Sequence, residues 1–148
     1  MYVIAGATGR VGSATAKNLL NEGAAVRVLV RRRSDADDWE VQGAEARVVH
    51  LDDRAALADA LNGCAGFFAL LPFDLAADDL DDHAARLIAS IAGAVADANV
   101  PHVVMLSSAG ADLAEGTGPI TGLYGLEQAL RATGTVLTAL RSGHFQEK

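Results

Sequence analysis

The feature that most constrains this chain is a short apolar strand running directly into a glycine-rich turn. Tyr2-Val3-Ile4-Ala5 leads into Gly6-Ala7-Thr8-Gly9-Arg10-Val11-Gly12, and a helical segment follows through Ala14, Ala16, Leu19 and Leu20, capped near Gly23. Each glycine answers a separate physical need. Gly6 lets the backbone leave the strand sharply, and Gly9 removes a side chain where a diphosphate would approach. Gly12 lets the helix pack closely on the sheet. The amide groups at the helix start and its positive end would then face phosphates. A glycine triplet also serves purely structural turns, but its position between a strand and a helix points to dinucleotide binding.

The alternation of strand and helix continues along the chain. Further strands are expected at Val26–Val30, Ala46–Val49, Gly66–Leu71, Val103–Leu106 and Thr135–Leu140, the fourth stopped by Pro72. Helices are expected at Ala36–Gln42 with Ser34 or Asp35 as N-cap, Asp53–Leu61, Leu80–Ala98 and Thr121–Ala132. Six strands, each buried on both faces and separated by helices, predict a doubly wound parallel α/β sheet with right-handed crossovers. The pattern predicts one dinucleotide-binding domain over residues 1–148. Residues 109–119, with three glycines and a proline, are expected to form a mobile loop over one edge of the site.

Charge and composition exclude several classes of function. Nineteen acidic against twelve basic residues give a formal charge of −7, which repels phosphate backbones and argues against direct nucleic-acid binding. The lone Cys64 forms no internal disulfide and reads as a small buried apolar residue. Most of Asp74, Asp78, Asp79, Asp81 and Asp82 are explained by the dipole at the start of a long helix, so no metal is expected. His83, His102 and His144 have no ligand spacing. No apolar run approaches the roughly 20 residues that span a bilayer. The first strand is expected to begin at Tyr2, which would leave no room for a cleaved leader, and a cytoplasmic location is expected.

Three stretches carry a family resemblance over nearly the whole chain. Gly6-Ala7-Thr8-Gly9-Arg10-Val11-Gly12, the run Asn99 to Gly110, and Glu127 to Gly134 followed by Leu137 to Arg141 resemble the NmrA-like group of atypical short-chain dehydrogenase/reductases. The resemblance implies a three-layer α/β/α Rossmann fold of strand order 3-2-1-4-5-6, with a nicotinamide dinucleotide across its carboxyl edge. Near Phe145-Gln146-Glu147 the family's substrate-pocket portion would begin.

An acid at the end of the second strand would bond the ribose of NAD, but this chain has Arg31-Arg32-Arg33 there. Guanidinium suits a phosphate monoester, which favours NADP(H), with NAD(H) still open. A solvated run of charges is the alternative. By resemblance Arg31 meets the 2′-phosphate, helped by Arg10 and Arg32. The family's adenine-binding Asp is replaced by His50, whose neutral ring still accepts a hydrogen bond but carries no fixed charge. Gly6, Thr8, Gly9, Val11, Gly12, Leu51, Leu70, Leu71 and Ser107 complete the expected cofactor-binding set.

Catalysis is less clearly written. Reductases of the superfamily use a tyrosine and a lysine four residues on, because an unassisted phenol titrates near about 10. Tyr124 is followed at that distance by Gln128, and aligning on Glu127 puts Pro119 and Leu123 in the two places. Ser107 and Ser108 stand where the family has a catalytic or nicotinamide-facing serine, or else they end the strand and cap a turn. The resemblance therefore implies either an oxidoreductase acting on a small carbonyl or quinone, or a non-enzymatic dinucleotide sensor that binds a partner protein. A homodimer through the long helices is compatible with both.

Overall fold

Short strands alternate strictly with helices in the computed structural model, which describes residues 1–73 and 76–143. The order is β1 (Tyr2–Ile4), α1 (Arg10–Asn21), β2 (Val26–Val30), α2 (Arg33–Val41), β3 (Glu45–Val48) and α3 (Arg54–Leu61). It continues through β4 (Gly66–Ala69), α4 (Leu80–Asp97), β5 (His102–Ser108), α5 (Ile120–Ala132) and β6 (Val136–Ser142). The strands form one parallel sheet of order β3-β2-β1-β4-β5-β6, as the resemblance implied.

Period-two alternation divides the core between the two faces. Val3, Phe67, Val103 and Met105 pack with Leu57, Leu61, Ile91, Leu126 and Leu130 of α3, α4 and α5. Ile4, Val28, Val30 and Phe68 pack with Ala16 of α1 and with Ala36 and Trp39 of α2. Each large side chain so buried contributes about 1.5–3 kcal/mol of transfer free energy. The strand order reverses beside β1, between β2 and β4, and opens a crevice at the carboxyl ends where such sheets bind ligands.

Several boundaries differ from the sequence reading. Arg32, rather than Ser34 or Asp35, is the N-cap of α2, and its side chain makes no capping bond. Asp53 is the N-cap of α3 instead of its first residue, accepting from Ala56 N at 3.1 Å. β5 runs on to Ser108 because its pairing with β6 continues to Ser108 and Ser142. Not every strand is buried on both faces. In β6 Val136 and Leu140 are 65% and 49% exposed, because α5 covers one face while α1 and α2 lie over β1–β3. Residues 109–119 pack against the β5–β6 end instead of over the large crevice. Ala111 is fully buried, and Ala109 N donates to Ser142 O.

Asp79 caps α4, accepting from Asp82 N at 3.0 Å, and Asp81 and Asp82 occupy the first turn. Asp74, His144 and Phe145-Gln146-Glu147 lie outside the described residues.

Candidate functional site

At the carboxyl ends of β1 to β4 lies a cleft of about 570 Å³. Its floor is the turn after β1. Gly6 has φ +67°, a conformation open to glycine, and a Cβ there would press on the Leu70 side chain, 3.3 Å from Cγ. Gly12 sits so close to the strand that a Cβ would overlap Gly6 O and stand 2.8 Å from Ala5 O. Gly9 is different. Its φ is −90°, and beyond Gly6 O at 3.4 Å an added Cβ would meet no atom within 4 Å apart from its chain neighbours. The cradle is thus closed below by Gly12 and open above at Gly9.

The amides of this turn are not all directed outward. Gly9 N donates to Gly6 O at 2.9 Å and helps to hold the turn. Ser13 N donates to Gly9 O at 3.0 Å, and Gly9 has no side-chain cap. The amides of Val11 and Gly12 precede that first helical bond and project from the positive end of α1.

The three arginines after β2 are separated by their partners. Arg32 pairs with Asp35 at 3.1 Å, and Arg33 with Asp37 at 3.0 Å and Glu40 at 3.4 Å. Arg31 lines the cleft and has no ion pair among the described residues. After β3, His50, Leu51 and Asp52 form the next wall, and Leu70, Pro72 and Phe73 after β4 form the opposite one. His83 and Leu87 reach the cleft from α4.

Of the residues expected from sequence, Gly6, Thr8, Gly9, Arg31, His50, Leu51 and Leu70 come together on this cleft. Arg10, Val11 and Gly12 form the first turn of α1 beneath it. Arg32 turns toward Asp35, and Leu71 is buried in the core, where a Cβ on Gly122 would approach its Cδ2 to 3.0 Å. Ser107 is buried outside the cleft walls, and Ser108 Oγ bonds the neighbouring Ala109 O at 3.1 Å. Tyr124 is half-buried on α5.

Sequence reasoning missed Asp52, Phe73, His83 and Leu87 as cleft residues. Asp52 had a signal, since it follows Leu51 at a strand end. His83 and Leu87 had none, because only the docking of α4 aims them inward.

Glu127 was also missed as a buried charge. It has no exposure, yet it accepts from Ser107 Oγ at 2.7 Å and from Arg141 Nε and Nη2 at 3.0 and 2.7 Å. Arg131 adds a contact at 3.2 Å. Burial pushes this carboxyl up, but the bonds from Arg141 and Ser107 and the charges of Arg141 and Arg131 outweigh it. The group is held below its ordinary value. In contrast, burial raises the Cys64 thiol, as for an inert core cysteine. Among the described residues no group of three or more His, Cys, Asp or Glu converges to hold a metal, and no helix is long and apolar enough to cross a membrane.

Residues 6–148 match the family model described as NAD(P)H-binding. No curated protein matches the sequence. The fold is similar to triphenylmethane reductase from Citrobacter sp., with TM-score 0.86 and 23% identity over 99% of this chain and 50% of that one. It is also similar to an NADPH-dependent quinone oxidoreductase from Escherichia coli in complex with NADPH. There the TM-score is 0.85 and the identity 25%, covering 100% of this chain and 50% of that one. A short-chain dehydrogenase/reductase superfamily protein from Agrobacterium tumefaciens, with bound NAD, gives TM-score 0.76 and 23% identity over 95% and 48%. The chain therefore spans about half the length of these solved structures.

Proposed function

The chain belongs to the NAD(P)H-binding family, and on that premise we propose that it serves an NADP(H)-dependent oxidoreductase acting on a small carbonyl or quinone substrate. The observation that carries the cofactor choice is the division of the arginines. Arg31 stands in the cleft with no ion pair among the described residues, while Arg32 and Arg33 are held by acids of α2. A planar guanidinium in that place suits the 2′-phosphate that distinguishes NADP from NAD.

The residues fit the dinucleotide. The surface above Gly9 is clear, and the amides of Val11 and Gly12 project from the start of α1 toward a diphosphate. Leu51 and Leu70 offer apolar walls for the adenosine half, beside His50. When bound, the cofactor supplies the hydride. The residues named here bind it, orient it and keep its phosphates on the turn. The quinone and dye reductases among the similar structures support the substrate class.

One observation favours a second reading, a dinucleotide sensor that binds a partner protein. Gln128 stands four residues after Tyr124, so α5 offers no tyrosine–lysine proton donor, and Ser107 gives its proton to Glu127. A single experiment separates the two. The purified protein is mixed with NADPH and a small quinone, and absorbance at the reduced nicotinamide band is followed while binding is measured in parallel. Quinone-dependent oxidation above background supports the enzyme. Measurable NADPH binding with no oxidation removes it in favour of the sensor.

A further inference from the structure

Few of the side chains lining the cleft can give up a proton near neutral pH. Arg31 keeps its proton, an ionised Asp52 only accepts, and the Thr8 hydroxyl is too weak an acid. Among the described residues of the lining, the imidazoles of His50 and His83 remain. The groups expected from sequence are engaged or elsewhere. Ser107 gives its proton to Glu127 at 2.7 Å, Ser108 bonds Ala109 O at 3.1 Å, and Tyr124 is not among the residues lining the cleft.

The two histidines stand on opposite sides of the glycine turn. His50 follows β3, outside β2 and its Arg31. His83 lies in the first turn of α4, the helix that follows β4 on the other side of β1. It also borders a smaller recess with Leu80, Pro119 and Gly122, which leads toward the start of α5. With the phosphate-bearing ribose at Arg31 and the diphosphate on the turn, a dinucleotide lying across the sheet brings its nicotinamide to the β4–β5 side. There His83 is half-buried, and its ring makes no hydrogen bond or ion pair among the described residues. Asp79, Asp81 and Asp82 set carboxylates against the positive end of α4, which would otherwise oppose a charged ring.

We propose that His83 is the catalytic acid of this cleft, donating a proton to a carbonyl oxygen of a quinone as hydride arrives from the reduced nicotinamide. The inference rests on the oxidoreductase reading above and names the source of its proton. In the step NADPH is oxidised to NADP+ by loss of a hydride, and the quinone is reduced by the two electrons it carries. The hydride forms an O–H bond at one quinone oxygen. An N–H bond of the charged His83 ring breaks, and its proton forms the second O–H bond, leaving hydroquinone and a neutral imidazole. Solvent returns the proton to the partly exposed ring.

The test sets a small quinone against a cationic triarylmethane dye. The quinone needs a hydride and a proton, whereas hydride alone neutralises the central carbon of the dye. Both rates are measured with NADPH for wild type, His83→Ala and His83→Gln, beside NADPH affinity by nicotinamide fluorescence and thermal melts. The ratio of quinone rate to dye rate should fall about 100-fold in His83→Ala. His83→Gln should fall with it, because its amide keeps an N–H donor but no transferable proton. Independently of turnover, the imidazole nitrogen NMR signals of His83, assigned by their loss in His83→Ala, should shift when hydroquinone is added to the NADP+ complex. An unchanged rate ratio, a loss of NADPH affinity that accounts for the lost rate, or ring signals that hydroquinone leaves in place overturns the inference. If the dye is not turned over, the ring signals decide alone. Wild type that binds NADPH and reduces neither acceptor would instead remove the oxidoreductase reading, and this assignment with it.

Discussion

Ser107 Oγ lies 2.7 Å from Glu127 Oε1, so the proton of this strand-end hydroxyl belongs to a carboxylate with no solvent exposure. The same carboxylate takes a forked bond from Arg141 on β6. One side chain of α5 therefore ties together the carboxyl ends of β5 and β6. Ser107 presents lone pairs rather than a proton to whatever approaches it.

Replacing Glu127 with Gln keeps the volume and removes the charge. Two charge-assisted bonds from Arg141 and one hydroxyl bond weaken together, while both arginines keep part of their hydration. The expected loss of stability is about 2 kcal/mol, read as a lower urea midpoint with unchanged slope. A midpoint equal to wild type would mean that the buried carboxylate adds nothing net, as some buried ion pairs do.

Acid should expose the same bond. Glu127 is held below its ordinary value, so its stabilisation is complete above the unfolded-state value of roughly 4.3 and is lost as pH falls through the folded value. Glu45, lowered mainly by its bond from Arg27, and Asp97, lowered mainly by Arg54, act with the same sign. Wild-type urea midpoints should therefore fall as pH drops from about 4.3 downward, and Glu127→Gln should fall less steeply. Parallel curves for the two proteins would count against the assignment.

The glycines of the turn should separate folding from binding. Gly12→Ala drives a methyl group into backbone atoms of Ala5 and Gly6, and overpacking of this kind costs about 1–3 kcal/mol. Gly9→Ala meets only Gly6 O at 3.4 Å, and its φ of −90° is ordinary for alanine. Its melting temperature should stay near wild type while dinucleotide affinity falls, because the methyl group occupies the approach to the turn. Calorimetric binding beside a thermal melt checks both halves.

Arg31→Ala should weaken NADPH about ten-fold and leave NADH nearly unchanged, whereas Arg32→Ala should affect both little. The contrast follows from their partners, since Arg32 faces Asp35. A wild-type preference for NADH in side-by-side titrations would overturn the role of Arg31.

The alternation of strand and helix, the glycine turn and the parallel sheet were legible because each depends on neighbours close in sequence. Val3 and Ile4 face opposite cores through a period of two, and Gly6 is required by a single positive φ. These local rules determined the strand–helix sequence and placed the start of the cleft within one turn.

Tertiary structure supplied the acids that hold Arg32 and Arg33 beside the Arg31 that the resemblance had singled out, and it alone decided which of two adjacent aspartates caps a helix and which lines the wall. It likewise brought His83 of α4 to the cleft and joined Ser107 to Glu127 across twenty positions of chain. The physical reason is that side-chain direction at a strand end depends on the crossover that follows and on the helix that docks beside it. Residues of one type in a row are equivalent until packing assigns each a partner.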